Sequence, residues 1–258
     1  MDSAGTRPPA AGAADGRSDA PGATALVLAR HGESVGNLAA ARAEQAGADE
    51  LELATRDADT PLSDRGVEQA GALGAWLRTQ ARPDVVWCSP YVRARQTAEL
   101  ALTSADLGLA PRLDDRLRDR ELGVLDRLTT TGVRRRFPEE DARRAGLGKL
   151  YYRPPGGESW ADVALRLRSW FADVAPADGE RLLVVTHDAV ISLAVYVLTG
   201  LSEAEVLELG RHGVRNASVT TLVRERGAWR LVTFDDVDHV AASDAPVTRH
   251  PGTASRGR

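Results

Sequence analysis

The stretch "LVLARHGESVGN", residues 26–37, joins an apolar run to a group of polar residues. The apolar run is typical of a strand buried in a parallel sheet. Arg30 and His31 therefore stand at the carboxyl end of a predicted strand, where an open α/β sheet keeps its ligand site. Gly32 follows at once and is expected to let the backbone turn close to a bound group.

Two further apolar runs predict strands, "DVVWCS" at 84–89 and "RLLVVTH" at 181–187. Segments with helical spacing follow each of them, and alternation of this kind predicts a mostly parallel sheet with helices on both faces. Near the end, "SVTTLVRE" and "WRLVTFDD" flank a short turn and predict two antiparallel strands. The expected fold is therefore a three-layer α/β fold.

The composition divides the chain into one domain and two tails. Residues 1–22 are rich in Ala, Gly, Pro and Asp, and residues 246–258 have a similar bias. Segments that lack periodic apolar residues cannot bury enough surface to order themselves, so both are predicted to be disordered. Residues 23–245 remain as the folded domain.

Segment 128–160 is too long for a plain connection between elements. We expect it to form a helical lid over the ligand site. Tyr151, Tyr152 and Arg153 occupy its later part, and from their position alone they are predicted to contact the part of a ligand that lies farthest from the strand ends.

The overall charge and the cysteine content exclude several classes of protein. A net charge of −4 favours neither a nucleic acid nor an anionic membrane as partner. Cys88 is the only cysteine, which fits a reducing compartment. The longest apolar runs fall short of the ~20 residues that a membrane span needs. These features, with no signal-peptide pattern at the start, predict a cytoplasmic protein with neither partner.

The predicted strand ends bring together residues that suit phosphoryl transfer. Arg30 and His31 end the first strand, Arg93 lies in the first turn of the helix after the second, and His187 ends the third. A neutral imidazole is a good nitrogen nucleophile, and the planar guanidinium group binds phosphate oxygens in pairs. Such a site requires no metal or other cofactor.

Four motifs, "LARHGESVGN", "TPLSDRG", "CSPYVRARQTA" and "VVTHD", resemble in that order those of the histidine phosphatase superfamily, also called phosphoglycerate mutase-like. The resemblance covers residues 24–240. It implies that His31 becomes transiently phosphorylated and that other site residues bind the phosphate group. The residues with that implied role are Arg30, Arg93, His187, Asn37 and Ser34.

The acid that protonates the leaving group is implied less directly. Family members usually carry a glutamate at the position that matches Asp119, and Glu121 is the alternative two residues later. Many relatives have a glycine at the position of Asp188. We expect Asp188 to be the N-cap of the helix over 189–198, because aspartate is a strong N-cap residue.

The sequence thus predicts a metal-independent phosphomonoester hydrolase that acts on a phosphorylated small molecule through a phosphohistidine. A phosphoglycerate mutase-type phosphoryl transferase is one alternative, disfavoured because Glu121 replaces a histidine of the glycolytic mutases. A weakly catalytic module that recognises phosphate is another. The oligomeric state and the natural substrate do not follow from the sequence.

Overall fold

Strands and helices alternate along most of the chain in the computed structural model, which describes residues 24–250. The strands are β1 (Thr24–Arg30), β2 (Val85–Cys88), β3 (Arg112–Leu113), β4 (Arg181–Thr186), β5 (Val219–Glu225) and β6 (Ala228–Asp236). The helices are α1 (Val35–Ala46), α2 (Asp64–Leu77), α3 (Val92–Ser104), α4 (Thr130–Arg136), α5 (Pro138–Tyr151), α6 (Trp160–Val174), α7 (Asp188–Thr199), α8 (Glu203–Leu209) and α9 (Asp238–Ala241).

The six strands form one sheet in the order β3-β2-β4-β1-β5-β6. The first four of these run parallel, and β5 and β6 pair antiparallel at one edge. The predicted mostly parallel sheet is thereby confirmed. Strand β4 lies between β1 and β2, with Arg30 opposite Thr186 and Cys88 opposite Val185. The carboxyl ends of the three predicted site strands therefore meet at one edge.

Helices cover both faces of the sheet, as predicted. Side chains alternate between the faces of a strand. In β4, Val184 packs on one side with Trp170 of α6 and Ile191 of α7. Val185 packs on the other side with Leu73 of α2 and Ala98 of α3, so the sheet is the middle of three layers.

Residues 128–160 contain the predicted helical insertion, as α4 and α5. Gly148 interrupts α5 with φ +76°, a conformation that glycine adopts without steric cost. The chain turns at that point. Lys149, directly after the kink, and Trp160, the first residue of α6, both line the cavity described below.

Tyr151, Tyr152 and Arg153 do not take the positions expected from the sequence. None of them lines the cavity. The Tyr152 ring is buried in a small apolar cluster, and the other two side chains lie on the outer surface, because the chain turns at the end of α5. Their side-chain partners are Glu203, Glu140 and Asp162 respectively.

The predicted C-terminal tail begins with an ordered segment. Residues 246–250 pack against the domain, with Gln69 Nε2 donating to Pro246 O at 2.7 Å and to Thr248 Oγ1 at 2.9 Å. Disorder over 246–250 is therefore wrong, because buried polar side chains hold the segment where apolar contacts are few. The predicted tail over 1–22, and residues 251–258, lie outside the described residues.

Candidate active site

His31 follows β1 and is almost completely buried. Its Nδ1 lies 2.7 Å from the carbonyl oxygen of Gly32. Because a carbonyl only accepts hydrogen bonds, Nδ1 carries the proton and Nε2 keeps an unprotonated lone pair. Burial, with the nearby positive charge of Arg93, holds the pKa of His31 well below its usual range. The geometry thus provides a neutral imidazole with Nε2 available for attack.

Gly32 is required by packing. A β-carbon there would lie 2.5 Å from the carbonyl oxygen of Gly66 in α2, and a β-carbon on Gly66 would lie 2.0 Å from Glu33 O. The Gly32 N–H donates to Thr97 Oγ1 at 3.0 Å. Close contact between the two backbones therefore fixes the turn that holds His31.

His187 follows β4 directly and lies beside His31, with 5.1 Å between the ring centroids. Its Nε2 lies 2.7 Å from Ser89 Oγ, and its Nδ1 lies 3.4 Å from Asp119 Oδ2. The pKa of this fully buried imidazole is held well below its usual range by burial and by the charge of Arg93. A second neutral histidine therefore stands beside the first.

Arg93 connects the main groups of the site. Its Nε lies 3.3 Å from His31 Nε2. Its Nη1 donates to Asp57 O at 2.7 Å, and its Nη2 donates to Asp57 Oδ2 at 2.9 Å and to Asp119 Oδ2 at 3.1 Å. The guanidinium group is buried. Every nitrogen of this side chain is therefore directed at a group of the site.

Arg30 is also buried and is held by two backbone carbonyls. Its Nη1 donates to Val214 O, and its Nη2 donates to His250 O at 3.1 Å. Its Nε is buried and has no hydrogen-bond partner among residues 24–250. Since a buried unpaired donor is costly, this nitrogen is well suited to an anionic ligand.

The two candidate acids occupy different positions. Asp119 Oδ2 lies close to both Arg93 and His187, as described above. Glu121 Oε1 instead accepts from Tyr91 Oη at 2.6 Å, and its side chain is 48 % exposed against 31 % for Asp119. Both residues line the cavity. The structure brings Asp119 to the histidines and leaves Glu121 at the side of the cavity.

Ser34 and Asn37 form the capping box of α1. Ser34 Oγ accepts from the Asn37 N–H, and Asn37 Oδ1 accepts from the Ser34 N–H, both at 3.1 Å. Asn37 Oδ1 also accepts from Asn216 Nδ2 at 3.2 Å. Both residues line the cavity, and a helix N-terminus favours anions. Their contact with phosphate stays a prediction.

Asp188 is not the N-cap of α7. His187 is the N-cap, in an extended conformation, and Asp188 is the first helical residue. Asp188 Oδ1 accepts from the Val214 N–H at 3.0 Å. Because Val214 O is an acceptor for Arg30, this carboxylate fixes the loop that holds Arg30. The prediction was wrong by one residue, because His187, directly after β4, keeps an extended backbone and the helix begins only at Asp188.

A cavity of about 360 Å³ opens at this edge of the sheet. Sequence reasoning missed several of the residues that line it. Asp57 lies just before the "TPLSDRG" motif, and that adjacency was a usable signal. Arg120 and Lys149 belong to none of the four motifs, so no sequence signal marked them. His250 lies in a segment that was predicted to be disordered. The lining residues from the strand ends are Arg30, His31, Arg93, Asp119 and Asp188.

Within residues 24–250, no group of three or more His, Cys, Asp and Glu side chains is arranged to hold a metal ion. Over the same residues, the helices are too short or too polar to cross a membrane.

A sequence profile of the histidine phosphatase superfamily (branch 1) matches residues 26–237. The chain therefore belongs to the histidine phosphatase superfamily, which confirms the resemblance of the four motifs.

Curated and solved relatives are consistent with this membership. The chain is 36 % identical over 189 residues to a 2,3-bisphosphoglycerate-dependent phosphoglycerate mutase of Methylobacterium radiotolerans, covering 71 % of this chain and 83 % of that protein. A mycobacterial glucosyl-3-phosphoglycerate phosphatase superposes with a TM-score of 0.69 at 30 % identity, covering 83 % of this chain and 100 % of the other. The α-ribazole phosphatase of Shigella flexneri shares the fold, with a TM-score of 0.67 at 23 % identity. The superposition covers 82 % of this chain and 96 % of that protein.

Proposed function

We propose that the chain is a phosphomonoester hydrolase that acts through a phosphohistidine on His31. One observation carries the proposal. His31 is neutral, its Nδ1 proton is held by Gly32 O, and its Nε2 lone pair faces the donors of Arg93. This is the state that a nitrogen nucleophile needs to attack phosphorus.

The first step transfers the phosphoryl group to the enzyme. His31 Nε2 attacks phosphorus while the bond to the alcohol oxygen breaks. Arg30 and Arg93, which line the cavity, balance the charge of the equatorial oxygens. His187 Nδ1 lies 3.4 Å from Asp119 Oδ2, beside the proposed acid. Asp119 donates a proton to the departing alcohol.

The second step releases phosphate. Asp119, now ionised, takes a proton from water as the water oxygen attacks the phosphohistidine. The electrons of the N–P bond return to His31 Nε2. Over both steps, a phosphate monoester and water react to give an alcohol and phosphate, and the catalytic groups are side chains of this chain.

The cavity supports a phosphorylated small molecule as the substrate. Beyond His31 the cavity is lined by Arg120, Lys149 and Trp160, which leaves space for a leaving group with polar and apolar parts. The mycobacterial relative is named a glucosyl-3-phosphoglycerate phosphatase, which agrees with a small-molecule substrate. The cytoplasmic location, and the lack of nucleic-acid or membrane partners, stay predictions.

Mutase activity is the second candidate, because curated relatives are named phosphoglycerate mutases. A mutase returns the phosphoryl group to a substrate and must keep water from the phosphoenzyme. Asp119 retains 31 % of its side-chain accessibility in the cavity, which favours access of water. We therefore rank hydrolysis first.

A panel of phosphomonoesters tests these candidates, with His31→Ala as the matched control. We expect the wild-type protein to release phosphate from at least one substrate and the variant to release none. A phosphoenzyme that transfers only to phosphoglycerates would establish the mutase. If the protein binds phosphate but turns over no substrate, it is instead the phosphate-recognising module that the sequence also allows.

A further inference from the structure

Two carboxylates from separate segments meet on one nitrogen of Arg93. Asp57 belongs to a single 3₁₀ turn, Asp57–Asp59, between α1 and α2. Asp119 follows β3 and a second 3₁₀ turn. Their Oδ2 atoms lie 2.9 Å and 3.1 Å from Arg93 Nη2, and both residues line the cavity. The mechanism proposed above uses only one of them.

A phosphate bound beside Asp57 and Asp119 would bring several negative charges together, and a proton is needed to reduce them. A phosphate dianion bound by Arg93 would stand next to two carboxylates that already share the same guanidinium group. Like charges this close cannot all stay ionised without a large electrostatic cost, so one carboxyl group takes up a proton. That proton is held beside the group from which an alcohol must depart.

We propose that Asp57 and Asp119 form a carboxyl pair across Arg93 that holds one proton, and that Asp57 is a second proton donor for the leaving group. The proposal rests on the hydrolase function. As His31 Nε2 bonds to phosphorus and the P–O bond breaks, the carboxyl proton passes to the alcohol oxygen. The pair regains a proton from the water that attacks the phosphohistidine.

The surroundings of Asp57 favour it as the protonated member. Partial desolvation inside the cavity raises its pKa, and the charges of Asp119 and Asp126 raise it further, while Arg93 lowers it. The side chain is 43 % accessible because it lines the cavity. On its own turn, Arg56 is paired with Asp59, and among residues 24–250 the cation that pairs with Asp57 is Arg93. An aspartate at position 119 has a shorter reach than the family's usual glutamate, and a second donor compensates for that.

The test compares two leaving groups in Asp57→Asn, Asp119→Asn and the double variant. An alkyl phosphate needs a proton donor, whereas 4-nitrophenyl phosphate leaves as a stable anion. Adding Asp57→Asn to Asp119→Asn is expected to lower kcat/KM for the alkyl phosphate by about 100-fold and to change kcat/KM for 4-nitrophenyl phosphate little. For the alkyl phosphate, kcat/KM should fall at high pH as the carboxyl group that donates the proton ionises. This fall is expected to remain in Asp119→Asn and to disappear in the double variant.

Asp59→Asn is the matched control, because Asp59 lies in the same turn and pairs with Arg56 at the surface. Two results would overturn the proposal. One is a double variant as active as Asp119→Asn on the alkyl phosphate. The other is an equal loss on both substrates, which would mean that Asp57 only positions Arg93. The alkyl phosphate is one that the wild-type protein hydrolyses in the panel described above, and failure of the wild-type protein on every member of that panel would instead contradict the hydrolase function itself.

Discussion

Arg93 Nε lies 3.3 Å from His31 Nε2, so the guanidinium group donates to the nitrogen that we propose as the nucleophile. The same side chain binds both Asp57 and Asp119. A single residue thus links the nucleophile, the proposed acids and the place where phosphate oxygens would bind. Changes at this position should affect the reaction more than the fold.

Arg93→Lys is expected to lower kcat/KM by about 100-fold or more. Lysine offers a point charge in place of the planar guanidinium group, so paired contacts to phosphate oxygens and carboxylates are lost. Steady-state kinetics with any accepted phosphomonoester measures the change. Arg95→Lys is the control, since Arg95 lies on the same helix with 47 % of its side chain exposed. Equal effects of the two substitutions would refute the role of Arg93.

Gly66→Ala is expected to reduce both stability and activity. Its β-carbon would lie 2.0 Å from Glu33 O, so α2 and the turn after His31 must separate. The matched control is Gly71→Ala in the same helix, where nothing lies within 4 Å of the added carbon. That change should stabilise by up to about 1 kcal/mol, because alanine favours helix. Thermal unfolding and kcat/KM of both variants provide the comparison, and unchanged activity in Gly66→Ala would contradict the packing argument.

Gln69→Ala is expected to destabilise the protein by about 3 kcal/mol. Fully buried Gln69 accepts from the Glu33 N–H and donates to Pro246 O and Thr248 Oγ1, so its loss leaves buried polar groups without partners. Denaturant unfolding measures the effect. Glu68→Ala, at an exposed position one residue earlier, should change the stability by less than about 0.5 kcal/mol. A Gln69 variant as stable as that control would show that residues 246–250 are not held as described.

Stability should fall as the pH drops below 6.5. Burial lowers the pKa of His31, His187 and His239 in the folded protein, while the unfolded chain titrates near the usual 6.5. Below that value the unfolded state binds more protons, so each histidine costs up to about 1.4 kcal/mol per pH unit until its folded-state pKa is reached. Above pH 6.5 these histidines are neutral in both the folded and the unfolded state, so they no longer reduce the stability. Chemical denaturation from pH 5 to 8 should show a smaller slope in His187→Gln than in the wild type, and identical slopes would contradict the buried neutral state.

Features that depend on local pattern were predictable from the sequence. The apolar runs that became β1, β2 and β4 have the length and composition of buried parallel strands, and the site residues at their ends followed from topology. His31, Arg93 and His187 accordingly meet where expected. The helical insertion was also predicted, because its length excluded a plain connection.

Features that depend on long-range contact were not predictable. Asp57 reaches Arg93 from an irregular loop, and no periodicity marks such an approach. Residues 246–250 have the composition of a disordered tail, yet buried polar side chains such as Gln69 hold them. Tyr152 turns away from the cavity because an apolar cluster and Glu140 bind its ring and hydroxyl group.

The central claim is that His31 carries the phosphoryl group, and rapid acid-free quenching with a radiolabelled phosphomonoester tests it most directly. We expect an acid-labile, base-stable phosphoenzyme in the wild type, with the label on His31 by peptide mapping and none in His31→Ala. We also expect the label to accumulate when Asp57 and Asp119 are both replaced by Asn and labelled 4-nitrophenyl phosphate is the substrate. Label on another residue, or turnover by His31→Ala, would contradict the assignment of His31 as the nucleophile.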